Sequence, residues 1–325
     1  MASSRAKELA FERVYGLWVA IPTPFTEAGE LDETALRRSV EHYISGIEVD
    51  GIFCGGVMGE FWSMTMDERR RVHELVADTA AGRIPLMAQT SHHVFELCVE
   101  LGDHAGEIGI DFAIVMNPYF PPRPSDDIVR AWYRALAGRS SIPTFLFNTA
   151  YSGYSLSPPL IAELADLDLI CGIKNPKPKD HFLEVLDLCG ERIVVCDAAE
   201  DDWLEYHLHH GVRALMSTPA LAMFQTPGSR PIAEYTALAR AGRIEEAWEV
   251  HATLADHRKA FQRWMRDPWL ANMSGAVPIA QLKAWLTLMG LPQGPVRVPL
   301  IPLTEAETSD LAADLERLGL RGALS

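Results

Sequence analysis

Short apolar runs alternate along this chain with longer stretches whose apolar residues recur every three or four positions. The runs cover residues 17–21, 51–54, 84–88, 112–116, 143–147, 169–173, 193–196 and 214–216. Runs of that length, bounded by Gly, Pro or polar residues, read as buried strands. The stretches between them carry helix start signals. Asp32 precedes Leu36, Val40 and Tyr43. Thr65 precedes Asp67 and Glu68, then Val72, Leu75 and Val76. Ser125 with Asp126 and Asp127 precedes Val129, Trp132 and Leu136. Ser157 is followed by Pro158 and Pro159, a strong entry because proline suits the first helical turn.

Strands alternating with helices predict a parallel sheet. Eight units closing on themselves predict an α/β protein of the (β/α)8 TIM barrel class. An open doubly wound sheet is the alternative, but its first βα turn is usually glycine-rich. Here that turn is Pro22-Thr23-Pro24-Phe25, which cannot cradle a pyrophosphate. After about residue 228 the strand signals stop, and residues 232–241, 244–264, 279–289 and 304–318 have helical spacing. The predicted organisation is an N-terminal polar arm (1–13), the barrel (14–227), and the last barrel helix with a C-terminal helical extension (228–325).

Composition narrows the function classes. The chain has 325 residues, 48% hydrophobic and 22% charged, enough apolar content for a large core. Its formal net charge of −15 argues against nucleic acid or an anionic membrane surface as partner. No stretch approaches the roughly 20 apolar residues of a membrane span. The first 13 residues lack an apolar secretory core, so the expected compartment is the cytoplasm. Five cysteines without CxxC spacing predict neither a disulfide framework nor a structural zinc site.

Barrel sites lie at the C-terminal ends of strands. After the second run comes Gly55-Gly56-Val57-Met58-Gly59-Glu60, either an anion-binding nest of backbone N–H groups or a tight turn without a ligand. The sixth run leads into Lys174. Buried in the barrel mouth, its amine would attack a carbonyl and form a Schiff base. The competing reading is a lysine that snorkels to the rim or meets a phosphate as a point charge. Phe147 and Asn148 end the fifth run, and Tyr151 and Tyr154 follow as candidates for proton transfer or ring packing. His207 and His210 share a helix face without an acidic metal motif, so no metal site is predicted there. Asp201 or Asp202 reads most simply as a helix cap.

These pieces, in this order, resemble the dihydrodipicolinate synthase/N-acetylneuraminate lyase family of Schiff-base class I aldolases. The resemblance spans roughly residues 14–320. It rests on Ile21-Pro22-Thr23-Pro24-Phe25, Gly56-x-x-Gly59-Glu60, Asn117-Pro118-Tyr119-Phe120, Phe147-Asn148, Gly172-Ile173-Lys174 and Gly290-Leu291-Pro292. It implies that Lys174 forms a Schiff base with a 2-oxo acid such as pyruvate, and that no metal or organic cofactor is needed. It implies substrate contacts from Gly56, Val57, Met58, Gly59, Glu60, Tyr119, Phe120, Phe147, Asn148 and Met216. It also implies a homo-oligomer, dimer or tetramer, for which Trp264 and Trp269 are candidate contacts if they do not pack internally.

Departures from the family pattern shape the expected activity. Val57 and Met58 stand where hydroxyl residues are usual, leaving a bound carboxylate to the backbone. Phe147 replaces the proton-relaying tyrosine, so Tyr151 or Tyr154 is the expected substitute. The loop after Phe147 lacks the arginine of the dihydrodipicolinate synthases, and Phe120 replaces a tyrosine of that branch. Both changes argue against a lysine-biosynthesis enzyme. Glu200-Asp201-Asp202-Trp203 is similar to a stretch of the hydratase-aldolases. The expected function is carbon–carbon cleavage between a 2-oxo acid and an apolar or aromatic aldehyde. The alternatives are a 2-oxo acid dehydratase or hydratase using the same iminium, or a non-catalytic barrel that binds a ligand.

Overall fold

The computed structural model describes residues 4–119, 124–217, 219–268 and 277–324. Eight strands form one sheet: β1 (Gly16–Ala20), β2 (Gly51–Cys54), β3 (Leu86–Gln89), β4 (Phe112–Met116), β5 (Thr144–Phe147), β6 (Ile170–Lys174), β7 (Val194–Cys196) and β8 (Ala214–Ser217). Their hydrogen-bonded order is β7-β6-β5-β4-β3-β2-β1-β8, with parallel pairing wherever the register is given from β3 to β7. The fold is the (β/α)8 class. Each strand falls within two residues of its predicted run, because buried parallel strands are apolar on both faces and stand out as continuous runs.

The chain forms two compact units, each discontinuous in sequence. One holds the chain up to Trp18 together with Pro85–Met216; the other holds Val19–Ile84 and Ser217–Ser325. In the first unit lies α1 (Arg5–Arg13), a helix where the sequence suggested a polar arm. The Ser4 side chain caps it, Ala10 is fully buried, and Lys7 Nζ donates to the Ala165 carbonyl at 2.7 Å. These tertiary contacts order a segment with little apolar periodicity of its own.

Helices α4 (Phe95–Glu107), α5 (Asp126–Ala137), α6 (Pro158–Leu164), α7 (Lys179–Cys189) and α8 (Glu200–His210) complete that unit. Ser125 and Ser157 cap α5 and α6 as predicted. The N-cap of α8 is Ala199, so Asp201 and Asp202 occupy its first turn instead. There they still favour the positive end of the helix dipole. On the helix's last turn, His207 stacks on Trp203 and bonds the Val212 carbonyl at 2.9 Å.

The second unit contains α2 (Glu33–Glu41), α3 (Met66–Ala80), α9 (Ala220–Phe224), α10 (Pro231–Arg240), α11 (Ile244–Thr253), α12 (Ala255–Phe261), α13 (Ile279–Met289) and α14 (Glu305–Arg317). Asp32 caps α2, and Thr65 with Glu68 forms a reciprocal capping box on α3. The single helix predicted over 244–264 is divided at Leu254, whose backbone departs from helical angles, and ends in a wide turn over Gln262–Arg266. Trp264 is buried, and its indole N–H donates to Asp314 at 2.8 Å, so it packs internally. Trp269 lies outside the described residues. All five cysteines are buried, and none is in a disulfide.

Candidate active site

Lys174 is the last residue of β6 and is 2% exposed. Its cross-strand partners at the same level are Phe147 on β5 and Cys196 on β7, while Met116 on β4 pairs with Phe147. Residues in register across parallel strands share a face. Four strand ends thus present Met116, Phe147, Lys174 and Cys196 side by side. Gly172 fits this strand because the Phe145 ring lies where a Cβ would be, within 2.1–2.5 Å. A larger residue there would push the ring or lift the strand that carries the lysine.

The surroundings set the lysine's chemistry. Its Nζ lies 5.5 Å from the centre of the Phe147 ring. Burial lowers its pKa to about 7, against an opposing pull from Cys196 and Asp197. A substantial fraction of the amine is therefore neutral at physiological pH, the form that attacks a carbonyl. The rim-snorkelling alternative does not describe this side chain. Burial also raises the Cys196 thiol to about 12, so it stays protonated and uncharged.

Asp197, directly after Cys196, was not singled out from the sequence. It is 4% exposed. Its Oδ1 accepts from the N–H groups of Ala198 (2.6 Å) and Ala199 (3.2 Å). Its Oδ2 is buried without a hydrogen-bond partner. Burial raises its pKa to about 7, with Asp202 and Asp201 adding to the rise. The available signal was its place one residue beyond a strand end. Nothing local distinguishes such an aspartate from a turn residue.

The two tyrosines differ. Tyr154 donates its hydroxyl to Asp126 in the first turn of α5, and that bond raises its pKa. Tyr151 is mostly buried, and desolvation raises its pKa to about 12. Asn148 holds the loop between them and α6. Its amide donates to Leu156 O (3.2 Å) and Asn175 Oδ1 (2.9 Å), and its Oδ1 accepts from Leu156 N (2.9 Å). His181 reaches the same Leu156 carbonyl at 2.8 Å and Asn175 at 3.3 Å. Tyr119 lies edge-on to His93, with ring centres 6.3 Å apart. Met216 is fully buried on β8. Phe120 lies outside the described residues.

The glycine loop belongs to the other unit. Gly59 N donates to Gly56 O (3.0 Å), and Glu60 N donates to Val57 O (3.1 Å). A Cβ on Gly59 would meet Thr23 Oγ1 at 2.9 Å. The N–H groups of Val57 and Met58 make no hydrogen bond among the described residues. Two successive buried N–H groups suit a carboxylate oxygen. Glu60 has a different task. It is fully buried in a left-handed conformation, φ 56°. Its Oε1 lies 2.6 Å from Lys283 Nζ on α13, and its Oε2 accepts from Arg297 N at 3.0 Å. Lys283 and Arg297 both stand over the Phe25 ring, 4.2 and 4.0 Å from its centre.

No cluster of three or more His, Cys, Asp or Glu suited to a metal occurs among the described residues. No helix among them is long and apolar enough to cross a membrane.

Comparison with known proteins places these features in context. Residues 13–318 match the Dihydrodipicolinate synthetase family. A 4-hydroxy-tetrahydrodipicolinate synthase from Geobacter metallireducens is 31% identical over 310 residues, covering 94% of this chain and 99% of its own. The same enzyme from Geotalea uraniireducens is 30% identical over 308 residues, with the same coverage. Among solved structures, dihydrodipicolinate synthase from Aquifex aeolicus superposes with a TM-score of 0.80 at 25% identity, covering 94% of this chain and 99% of that one. A prophage protein of the dihydrodipicolinic acid synthase family from E. coli, solved with pyruvate, gives 0.81 at 25% identity and the same coverage.

Proposed function

Because the chain belongs to the dihydrodipicolinate synthetase family, we propose that it is a Schiff-base carbon–carbon lyase whose nucleophile is Lys174. The observation that carries this reading is the lysine itself: it ends β6, is buried, and has a pKa near 7. The substrate is a 2-oxo acid, with pyruvate the first choice because a structural relative was solved with it.

Lys174 attacks the ketone, and loss of water gives an iminium. The iminium accepts the electron pair released when the carbon–carbon bond breaks, so the lysine supplies the electron sink and no metal or organic cofactor is required. Phe147, in register beside Lys174, favours an apolar or aromatic aldehyde. No arginine occurs between Phe147 and Pro158, where the resemblance implies one in the dihydrodipicolinate synthases, and this supports a different aldehyde. The same reading makes the protein a homo-oligomer of the cytoplasm; light scattering on the purified protein tests the oligomer.

The central test is borohydride reduction in the presence of pyruvate, followed by peptide mass mapping. A reduced pyruvate adduct on Lys174 is expected. Its absence, under conditions that trap an active family member, overturns the reading.

A further inference from the structure

Phe147 cannot move a proton, yet cleavage needs one taken from a hydroxyl and one delivered to carbon. Tyr154 is bonded to Asp126, and the Tyr151 hydroxyl is a weak acid at neutral pH. Just beyond the end of β7, adjacent to the lysine's strand, a carboxylate takes a different stance. Cys196 is the register partner of Lys174, and Asp197 is the next residue. Neighbouring strands lie about 4.8 Å apart, so this places Asp197 one step beyond the lysine's own level. Its backbone is fixed on its other side, since Met216 N donates to Asp197 O at 2.8 Å.

The side chain is half committed. Two backbone N–H groups hold Oδ1 and set the plane of the carboxyl, while Oδ2 is buried with no hydrogen bond. A buried carboxylate oxygen left without a partner costs free energy that folding alone does not repay. A turn-forming role accounts for Oδ1, and an asparagine would serve it equally well. Only Oδ2 calls for an acid.

We propose that Asp197 is the proton relay of the Lys174 reaction, taking the place of the missing strand-five tyrosine. This rests on the Schiff-base reading above. In cleavage, Asp197 takes the proton from the hydroxyl on the carbon that becomes the aldehyde. The O–H electrons form the C=O bond, the carbon–carbon bond breaks, and its electron pair moves to the iminium to give an enamine with neutral nitrogen. Asp197, now a carboxylic acid, returns the proton to the enamine carbon and restores the iminium of the 2-oxo acid. Water then hydrolyses that iminium, releasing the 2-oxo acid and the lysine. The proton affinity of the group lies near neutrality, so it can both take and give.

Pyruvate alone tests this without knowledge of the aldehyde. Run backwards, the last protonation removes a methyl proton, so an active relay exchanges the pyruvate methyl hydrogens with D2O, read by proton NMR. Asp197→Asn keeps the Oδ1 acceptor and should preserve the near-UV circular dichroism and the borohydride-trapped adduct. Its exchange rate should fall roughly 10²- to 10⁴-fold. Asp197→Glu, which restores the acid at altered reach, should exchange at an intermediate rate, and it keeps the test open if the Asn variant does not fold. Exchange at the wild-type rate in Asp197→Asn overturns the relay alone. Loss of the adduct in a folded Asp197→Asn also overturns it, making Asp197 a binding or positioning group. Absence of an adduct in the wild-type protein overturns the Schiff-base reading and the relay with it.

Discussion

Lys174 and Lys283 are each 2% exposed, and burial depresses the pKa of both. Their surroundings lead them to opposite uses. Lys283 has a carboxylate at 2.6 Å and a carbonyl at 2.9 Å, with an aromatic face beneath it. Its charge is compensated on every side, and it serves as an internal tie within its unit. Lys174 has an aromatic ring, a protonated thiol and an aspartate whose own carboxyl is held near pH 7. The ring and the thiol carry no charge, and burial outweighs the pull of the aspartate, bringing the amine's pKa down to about 7. Burial is common to both lysines, so burial alone does not mark a reactive one; the neighbours decide how far each amine's proton affinity falls.

The largest expected effect that would break this contrast is at Lys174. Lys174→Ala should lower turnover by on the order of 10⁴-fold or more, as removal of a covalent nucleophile does, measured under saturating 2-oxo acid. Its melting temperature should hold or rise. Lys283→Ala should do the reverse and act on stability. It leaves Glu60 buried without its counter-ion, at a cost of about 3–5 kcal/mol in urea unfolding. Adding Glu60→Gln should recover part of that loss, since the uncompensated charge disappears.

Arg297 gives a smaller effect in the same region. Its guanidinium binds both Glu68 oxygens and the carbonyls of Gly29 and Ser63. Arg297→Gln should cost about 1.5–3 kcal/mol, because charge-assisted bonds are lost while the backbone N–H to Glu60 remains.

The smallest and sharpest prediction is the pH response of Lys174. With a folded pKa of about 7, the neutral fraction rises about tenfold between pH 6 and pH 8, and adduct formation should follow it and level off above. The stability sign is opposite to that of a paired lysine. A folded pKa below the unfolded one penalises folding progressively as pH falls from 10.5 to about 7, and the penalty is constant below that. Lys174→Met should abolish this part of the pH dependence of unfolding.

Much of this was legible from residue order. The eight apolar runs located the strands, and Asp32, Thr65, Ser125 and Ser157 located helix starts, because caps and buried strands are local solutions to backbone hydrogen bonding. Lys174 stood out because a charged residue at the end of a buried strand breaks the apolar pattern. Glu60 was placed with the substrate because it follows the glycine loop, yet its partners lie on distant segments, Arg297 being 237 positions along the chain. Asp197 passed unnoticed because its half-satisfied carboxyl is a property of packing.

What the sequence determined by itself is the class of fold and the place of a lysine at the end of the sixth strand. These depend on local pattern, since strand burial, helix capping and the end of a strand are each set within a few residues. What only the tertiary structure decided is what surrounds each charged group and how far its proton affinity is shifted. A carboxylate or an amine has the same identity in every environment. Its proton affinity and its use are fixed by desolvation and by neighbours that distant parts of the chain bring to it.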